Sequence, residues 1–249
     1  MMRQRFATAV LAILLIAAIG GAADEDPYLW LEEVEGERAL AWAKAKSVAD
    51  TAELEAVPEF AGIHARLLEI YTSRDRIPTP EIMGPWVYNF WRDAEHVRGI
   101  WRRTFLSEFA KESPSWDLVL DLDALAAAEG ENWVWKGADC LEPEHRRCMI
   151  SLSRGGADAT VEREFDTVTK TFVDGGFVLA EAKQQIDWRD EATLWVGTDF
   201  GEGSLTASGY ARIAKMWRRG TPLAEAVTVF EGSVDDVFII ASSQHTPEG

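Results

Sequence analysis

A strand-like segment recurs along this chain at long intervals, and that recurrence limits the fold more than any other feature. Trp86-Val-Tyr-Asn-Phe-Trp-Arg-Asp93 has counterparts in Asn132-Trp-Val-Trp-Lys-Gly-Ala-Asp139 and Thr193-Leu-Trp-Val-Gly-Thr-Asp199, and Val237-Phe-Ile-Ile-Ala-Ser-Ser243 begins another round. Their starts at 86, 132, 193 and 237 lie 46, 61 and 44 positions apart. Each of the first three is followed by a second strand, as in Gly99–Thr104, Arg147–Leu152 and Ala211–Arg219. A third closes each round at Trp116–Asp121, Val161–Phe165 with its continuation to Phe172, and Ala226–Phe230. Periods of roughly 40–50 residues with several strands per unit belong to propeller blades. A two-sheet sandwich also spaces its strands evenly but lacks so long a period. The expected fold is therefore mainly β, an incomplete β-propeller of about three blades plus a strand. Because closure protects sheet edges, the chain reads as cut short after Gly249, with open edges through which copies could pair as an oligomer.

Ahead of the strands the pattern is helical. Residues 36–57 carry Ala, Leu, Glu and Lys, with acids in the first turn and Pro58 as the stop. A second helix is expected from about Glu59 to Tyr71, where Phe60, Ile63, Leu67 and Tyr71 recur on one face. Before them, Arg3 and Arg5, an apolar run from Phe6 to Ile19, and the small residues Gly20–Ala23 have the order of a secretory signal peptide. The run is shorter than the ~20 residues that span a bilayer, which makes an uncleaved anchor the lesser reading. The expected organisation is a signal peptide over 1–23, a helical segment over 24–76 and the partial propeller over 77–249, in a periplasmic or secreted protein.

Charge narrows the partners. With 25 Lys+Arg against 42 Asp+Glu, a net charge of −17, the chain repels phosphate backbones and anionic lipid, so nucleic acid is not an expected partner. Export makes a disulfide possible. The two cysteines, Cys140 and Cys148, flank a turn centred on Pro143 and are read as a hairpin-spanning pair. His145 between them leaves a three-ligand metal site as the alternative, although structural zinc wants four ligands. No metal and no cofactor are expected.

Several spaced motifs carry a family resemblance. Asp26-Pro-Tyr-Leu-Trp-Leu-Glu32 with Trp42, then Ser73-Arg-Asp-Arg-Ile-Pro78, Tyr88-Asn-Phe-Trp-Arg92, Gly99-Ile-Trp-Arg-Arg103, Gly197–Ser204 and Trp217-Arg-Arg-Gly-Thr-Pro222 follow one another in order. Together they resemble the N-terminal part of the prolyl oligopeptidase family of serine peptidases. Lys46-Ser47 stands where that family has a glutamine-asparagine pair. The resemblance implies a propeller that caps an α/β-hydrolase domain, admits short peptides, and leaves a Ser-His-Asp triad to that other domain. The nucleophile of such a triad sits in a Gly-x-Ser-x-Gly elbow. No serine here has that context: Ser153, Ser204, Ser208 and Ser233 have Ser151, Glu202, Thr206 and Glu231 two positions earlier. No catalytic residue is assigned, and the chain is expected to be inactive alone, with peptides reaching it through the missing domain. The alternative is a free-standing binding module derived from such a peptidase.

The remaining chemistry-bearing residues are read as structural. His64, His96, His145 and His245 are scattered without an elbow serine. Asp121 with Asp123, Asp235 with Asp236, and Glu142 with Glu144 could mimic a glycosidase pair, but among 42 acids such pairs arise by chance. Gly197–Gly203 is followed by neither a Lys nor a helix pattern, so it is not a phosphate loop. Trp91, Trp135 and Trp195 are assigned to packing between sheets rather than to sugar stacking. For Arg102-Arg103 and Arg218-Arg219, strand alternation favours ion pairs between blades over base stacking.

Overall fold

The computed structural model describes residues 26–33, 35–73, 75 and 79–244; the segment read as a signal peptide and His245 lie outside them. The described residues divide into two compact units, with the boundary between Leu68 and Glu69. In the first, a 3-10 turn at Leu29–Glu32 precedes α1 (Glu37–Glu55), and α2 begins at Phe60 and runs to Thr72. The two halves of the N-terminal signature meet here: Trp30 and Trp42 pack edge to face at 6.1 Å, and the Arg38 guanidinium lies 3.9 Å over Trp30.

The second unit consists of three antiparallel sheets. Sheet 1 holds β1 (Glu81–Met83), β2 (Trp86–Trp91), β3 (Ile100–Phe105) and β4 (Asp117–Asp121) in that order. Sheet 2 holds β5 (Trp133–Cys140), β6 (Arg147–Arg154), β7 (Thr160–Asp166) and β8 (Thr171–Phe172), with β9 (Val178–Ala182) also pairing with β7. Sheet 3 holds β10 (Gln185–Asp190), β11 (Thr193–Gly197), β12 (Ile213–Arg218) and β13 (Val227–Glu231).

The sheets begin at Glu81, Trp133 and Gln185, each 52 residues after the one before. The uneven 46, 61 and 44 spacing arises because the recurring Trp-rich segment is the second strand of sheets 1 and 3 but the first strand of sheet 2. The short β1 and the strand β10 lie outside the recurring segments. Trp91 and Trp195 accordingly occupy second strands and Trp135 a first strand, so the three are not equivalent positions. A further step of 52 arrives at Val237, yet Val237–Ser243 forms no ladder. It runs extended along sheet 3, held by Ile239 N–H to Ala211 O at 2.9 Å and by Trp195 Nε1–H to Ser243 Oγ at 2.7 Å.

Two short helices interrupt the strands, α3 (Leu106–Phe109) and α4 (Leu122–Glu129). The second carries clear local signals that the strand repeat does not include. Asp121 Oδ1 caps it by accepting from Ala124 N–H at 2.9 Å, Ala and Leu fill it, and Gly130 ends it at φ +68°.

One apolar core gathers Tyr88, Trp101, Leu120, Leu122, Ile150, Leu152 and Phe165 between sheets 1 and 2. A second gathers Met149, Phe177, Leu179, Trp188, Leu194, Val196 and Trp217 between sheets 2 and 3. Because sheet 2 is covered on both sides, every position of β6 and β7 except Arg154 is buried or half-buried.

Candidate functional site

The loop joining β2 to β3 is organised by one carboxylate. Asp93 Oδ1 accepts from Glu95 N–H at 2.9 Å and His96 N–H at 2.8 Å and faces His96 Nδ1 at 3.1 Å, while Oδ2 accepts from Trp91 Nε1–H at 3.0 Å. Burial alone would push this carboxyl up, but those hydrogen bonds outweigh it and hold it well below the usual carboxylate range. The loop closes at Gly99, with φ +110°, where a Cβ would sit 2.5 Å from the Phe90 ring.

This rigid loop presents two arginines. Arg92 Nε donates to Val97 O at 2.9 Å, and Arg98 Nη1 reaches across to sheet 2, donating to Asn132 Oδ1 at 2.7 Å and Trp133 O at 3.0 Å. Both line a cleft of about 350 Å³ with Phe90, Asp123, Asn132 and Trp135. The Phe90 and Trp135 rings stack at 4.9 Å with planes 7° apart. The Asp123 carboxylate is already engaged by the N–H groups of Arg98 and Gly99 at 3.0–3.1 Å. The cleft can thus offer cationic donors beside a flat apolar wall. Nothing in the sequence singled out Arg98. The signal was an Asp-x-x-His turn bracketed by two arginines and ending in glycine.

A second cleft, of about 500 Å³, is lined by the β5–β6 hairpin residues Glu142, Glu144, Arg146 and Arg147 together with Arg189 and Glu191. Cys140 and Cys148 lie directly opposite each other at the base of that hairpin, with sulfurs 2.04 Å apart. Leu141 N–H bonds Arg147 O next to them, so the cysteines occupy a non-hydrogen-bonded pair, where side chains stand closest. Their bond to each other removes both sulfurs as metal ligands. His145 sits between them at φ +50°.

The other sequence candidates are dispersed. His64 lies on α2 and stacks on Phe60 at 6.0 Å, and His96 serves the Asp93 turn. Asp236 Oδ2 accepts from Ser233 N–H at 2.7 Å, and Asp121 and Asp123 cap backbone as described. Just after Gly197–Gly203 the buried Ser204 staples that loop, accepting from Phe200 N–H and directing its one hydroxyl proton to Gly201 O at 2.6 Å, with Asp199 Oδ1 at 3.1 Å. Arg219 makes the sheet-to-sheet ion pair that alternation suggested, bidentate on Glu164 of β7 at 2.7 and 3.0 Å. Arg102 does not; it lies between Trp91 and Trp116, 4.3 and 4.2 Å from their rings, and burial brings its guanidinium down to about 10. No serine, histidine and carboxylate form a hydrogen-bonded triad among the described residues.

Residues 15–247 match the family model of the prolyl oligopeptidase N-terminal beta-propeller domain. An uncharacterized peptidase of Sinorhizobium fredii is 41% identical over 213 residues, which is 85% of this chain and 29% of that protein. The structure of a post-proline cleaving enzyme from Rickettsia typhi superposes with a TM-score of 0.79 at 30% identity, over 86% of this chain and 32% of that one. Oligopeptidase B from Leishmania major shares the fold at a TM-score of 0.65 and 16% identity, over 84% of this chain and 28% of its own. The chain thus spans less than a third of each.

Proposed function

Because this chain belongs to the prolyl oligopeptidase family through its N-terminal β-propeller domain, we propose that it is the propeller portion of an exported serine peptidase that hydrolyses short peptides. On this reading residues 1–23 are a leader removed on export, 24–76 a helical segment, and the three sheets of 77–249 are blades, with Val237–Ser243 the first strand of a fourth. The blades restrict access to a hydrolase domain, where a serine attacks the peptide carbonyl, a histidine takes its proton, and water later releases the acyl group. The observation that carries the reading is the match over residues 15–247, combined with the absence of any Gly-x-Ser-x-Gly elbow in the 249 residues.

The purified 249-residue chain is expected to leave a prolyl chromogenic peptide uncleaved. Turnover abolished by a serine-directed inhibitor would overturn that. Immunoblotting the native protein in its host tests the rest of the reading, which requires a product much heavier than 27.7 kDa. A product lighter only by the leader would favour a free-standing binding module. That second reading draws on the two buried cores of residues 69–249, which give the sheets packing of their own.

A further inference from the structure

We propose that the cleft between the β2–β3 loop and the start of β5 binds the free carboxylate of a short peptide, with Arg92 and Arg98 as cationic partners and the Phe90–Trp135 stack as the wall for the terminal residue. The first argument is charge. In a chain of net charge −17, most arginines of the three sheets are taken by a carboxylate, as in Arg103–Asp117, Arg154–Glu131 and Arg219–Glu164. Arg92 and Arg98 are not. Arg92 is exposed and Arg98 half-buried, they face one cleft, and neither has a carboxylate at ion-pair distance among the described residues.

The second argument is pre-organisation. Four contacts to Asp93 and the glycine closure at Gly99 fix the loop before any ligand arrives, so little ordering cost falls on binding. The third is valence and shape. Two guanidinium groups beside one carboxylate, Asp123, leave a net charge of one, which suits a singly charged carboxylate better than a phosphate dianion. A cleft of about 350 Å³ is at the small end of ligand sites, and a flat aromatic wall suits a ring or branched side chain. That the carboxylate comes from a peptide rests on the proposed peptidase reading; the cationic cleft itself does not.

The test is calorimetric titration of the 249-residue chain with a tetrapeptide ending in phenylalanine, its C-terminal amide, and inorganic phosphate. The acid is expected to bind at least about tenfold more tightly than the amide, as loss of a charge-assisted hydrogen bond predicts, and phosphate to compete poorly. Arg92→Gln should abolish most of that preference. Its side chain is exposed and bonds only its own loop in the contacts above, so the variant should keep the parent's thermal midpoint. Arg98→Gln should act likewise with a small loss of stability, because Arg98 also ties sheet 1 to Asn132 and Trp133. Equal affinity for acid and amide, no binding of the acid at millimolar concentration, or full preference retained in Arg92→Gln would each overturn the proposal. Phosphate binding as tightly as the acid would overturn the peptide as ligand. Failure of the peptidase reading appears instead in the hydrolysis and mass experiments, so the two can fail separately.

Discussion

Where sheet 1 meets sheet 2, Phe90 lies on Trp135, and Trp101 reaches both Trp135 at 5.5 Å and Phe165 at 6.2 Å. Where sheet 2 meets sheet 3, the face of β7 carries Glu162 and Glu164, 3% and 1% exposed, beside the apolar Phe177 and Trp188. Both seams join neighbouring sheets of one unit around an apolar core, yet the first is richest in stacked aromatic rings and the second also buries carboxylates that have found partners. Glu164 takes both forks of Arg219 and the Phe177 N–H, while Glu162 has only the hydroxyls of Ser151 and Thr160. Apolar contact is indifferent to protons, whereas a buried carboxylate is not. The two seams should therefore respond differently to substitution and to pH.

The largest effect is expected in the aromatic seam. Trp101 is 2% exposed and also packs on Tyr88 at 4.9 Å. Trp101→Ala should cost about 3–5 kcal/mol by lost burial and the cavity it leaves, read as a lower urea midpoint. A loss below about 1 kcal/mol would mean that the seam collapses around the gap and that the aromatic contacts carry little.

Next is the ion pair across the other seam. Arg219→Met strands the Glu164 carboxylate in the interior. Removing one partner of a buried pair costs about 3–5 kcal/mol, and because the Arg219 side chain is 30% exposed the lower part of that range applies. Combining it with Glu164→Gln should recover much of the loss, since the double variant leaves no uncompensated charge. Additive losses in the double variant would assign the cost to packing instead.

These seams were not equally legible in the sequence. The recurring Trp, read as packing between sheets, pointed to the aromatic one through Trp135, although its partners Phe90, Trp101 and Phe165 were not singled out. The polar seam was hidden in Val161-Glu-Arg-Glu-Phe165, where alternation places Val161 and Phe165 inward and sends both glutamates to solvent. That inference fails because sheet 2 is covered on both faces, a fact no single strand can report. The sheet-to-sheet role of Arg219 was legible from alternation. The Arg92–Arg98 cleft was not, because its members meet only after β2, β3 and β5 are assembled.

Smaller is the contribution of the Asp93 turn at the rim of sheet 1. Its carboxyl is held low by hydrogen bonds that outweigh burial, so its stabilisation is present above the unfolded carboxylate range, near 4, and is lost as the pH falls toward the native value. Asp93→Asn should cost about 1–2 kcal/mol at neutral pH by weakening those bonds. The gap to the parent should narrow in acid when thermal midpoints are compared from pH 3 to 7. A gap that stays constant over that range would mean the turn depends on shape and not on charge.

The smallest effect has the opposite sign and most sharply separates the seams. Burial pushes the Glu162 carboxyl up, and the hydroxyls of Ser151 and Thr160 offset only part of that. The polar groups continuing from it into sheet 3 are uncharged, with Gln184 bonded to Thr160 O and Thr198 to Gln184. The nearest charge on its own face of the strand is Glu164, paired with Arg219, while Arg163 points to the other face and pairs with Glu129. Between the unfolded carboxylate value and the raised native one, the folded chain holds more protons than the unfolded chain, so stability falls as pH rises through that window and then levels off. Glu162→Gln keeps an acceptor and a donor for the two hydroxyls and has no proton to lose. It should match the parent at the acid end of that window and exceed it by a margin that grows through the window and then stays constant, read as a thermal midpoint that no longer falls there with pH. If the variant is instead less stable at every pH, the ionised carboxylate is what Ser151 and Thr160 hold, and the second seam is built to keep a charge.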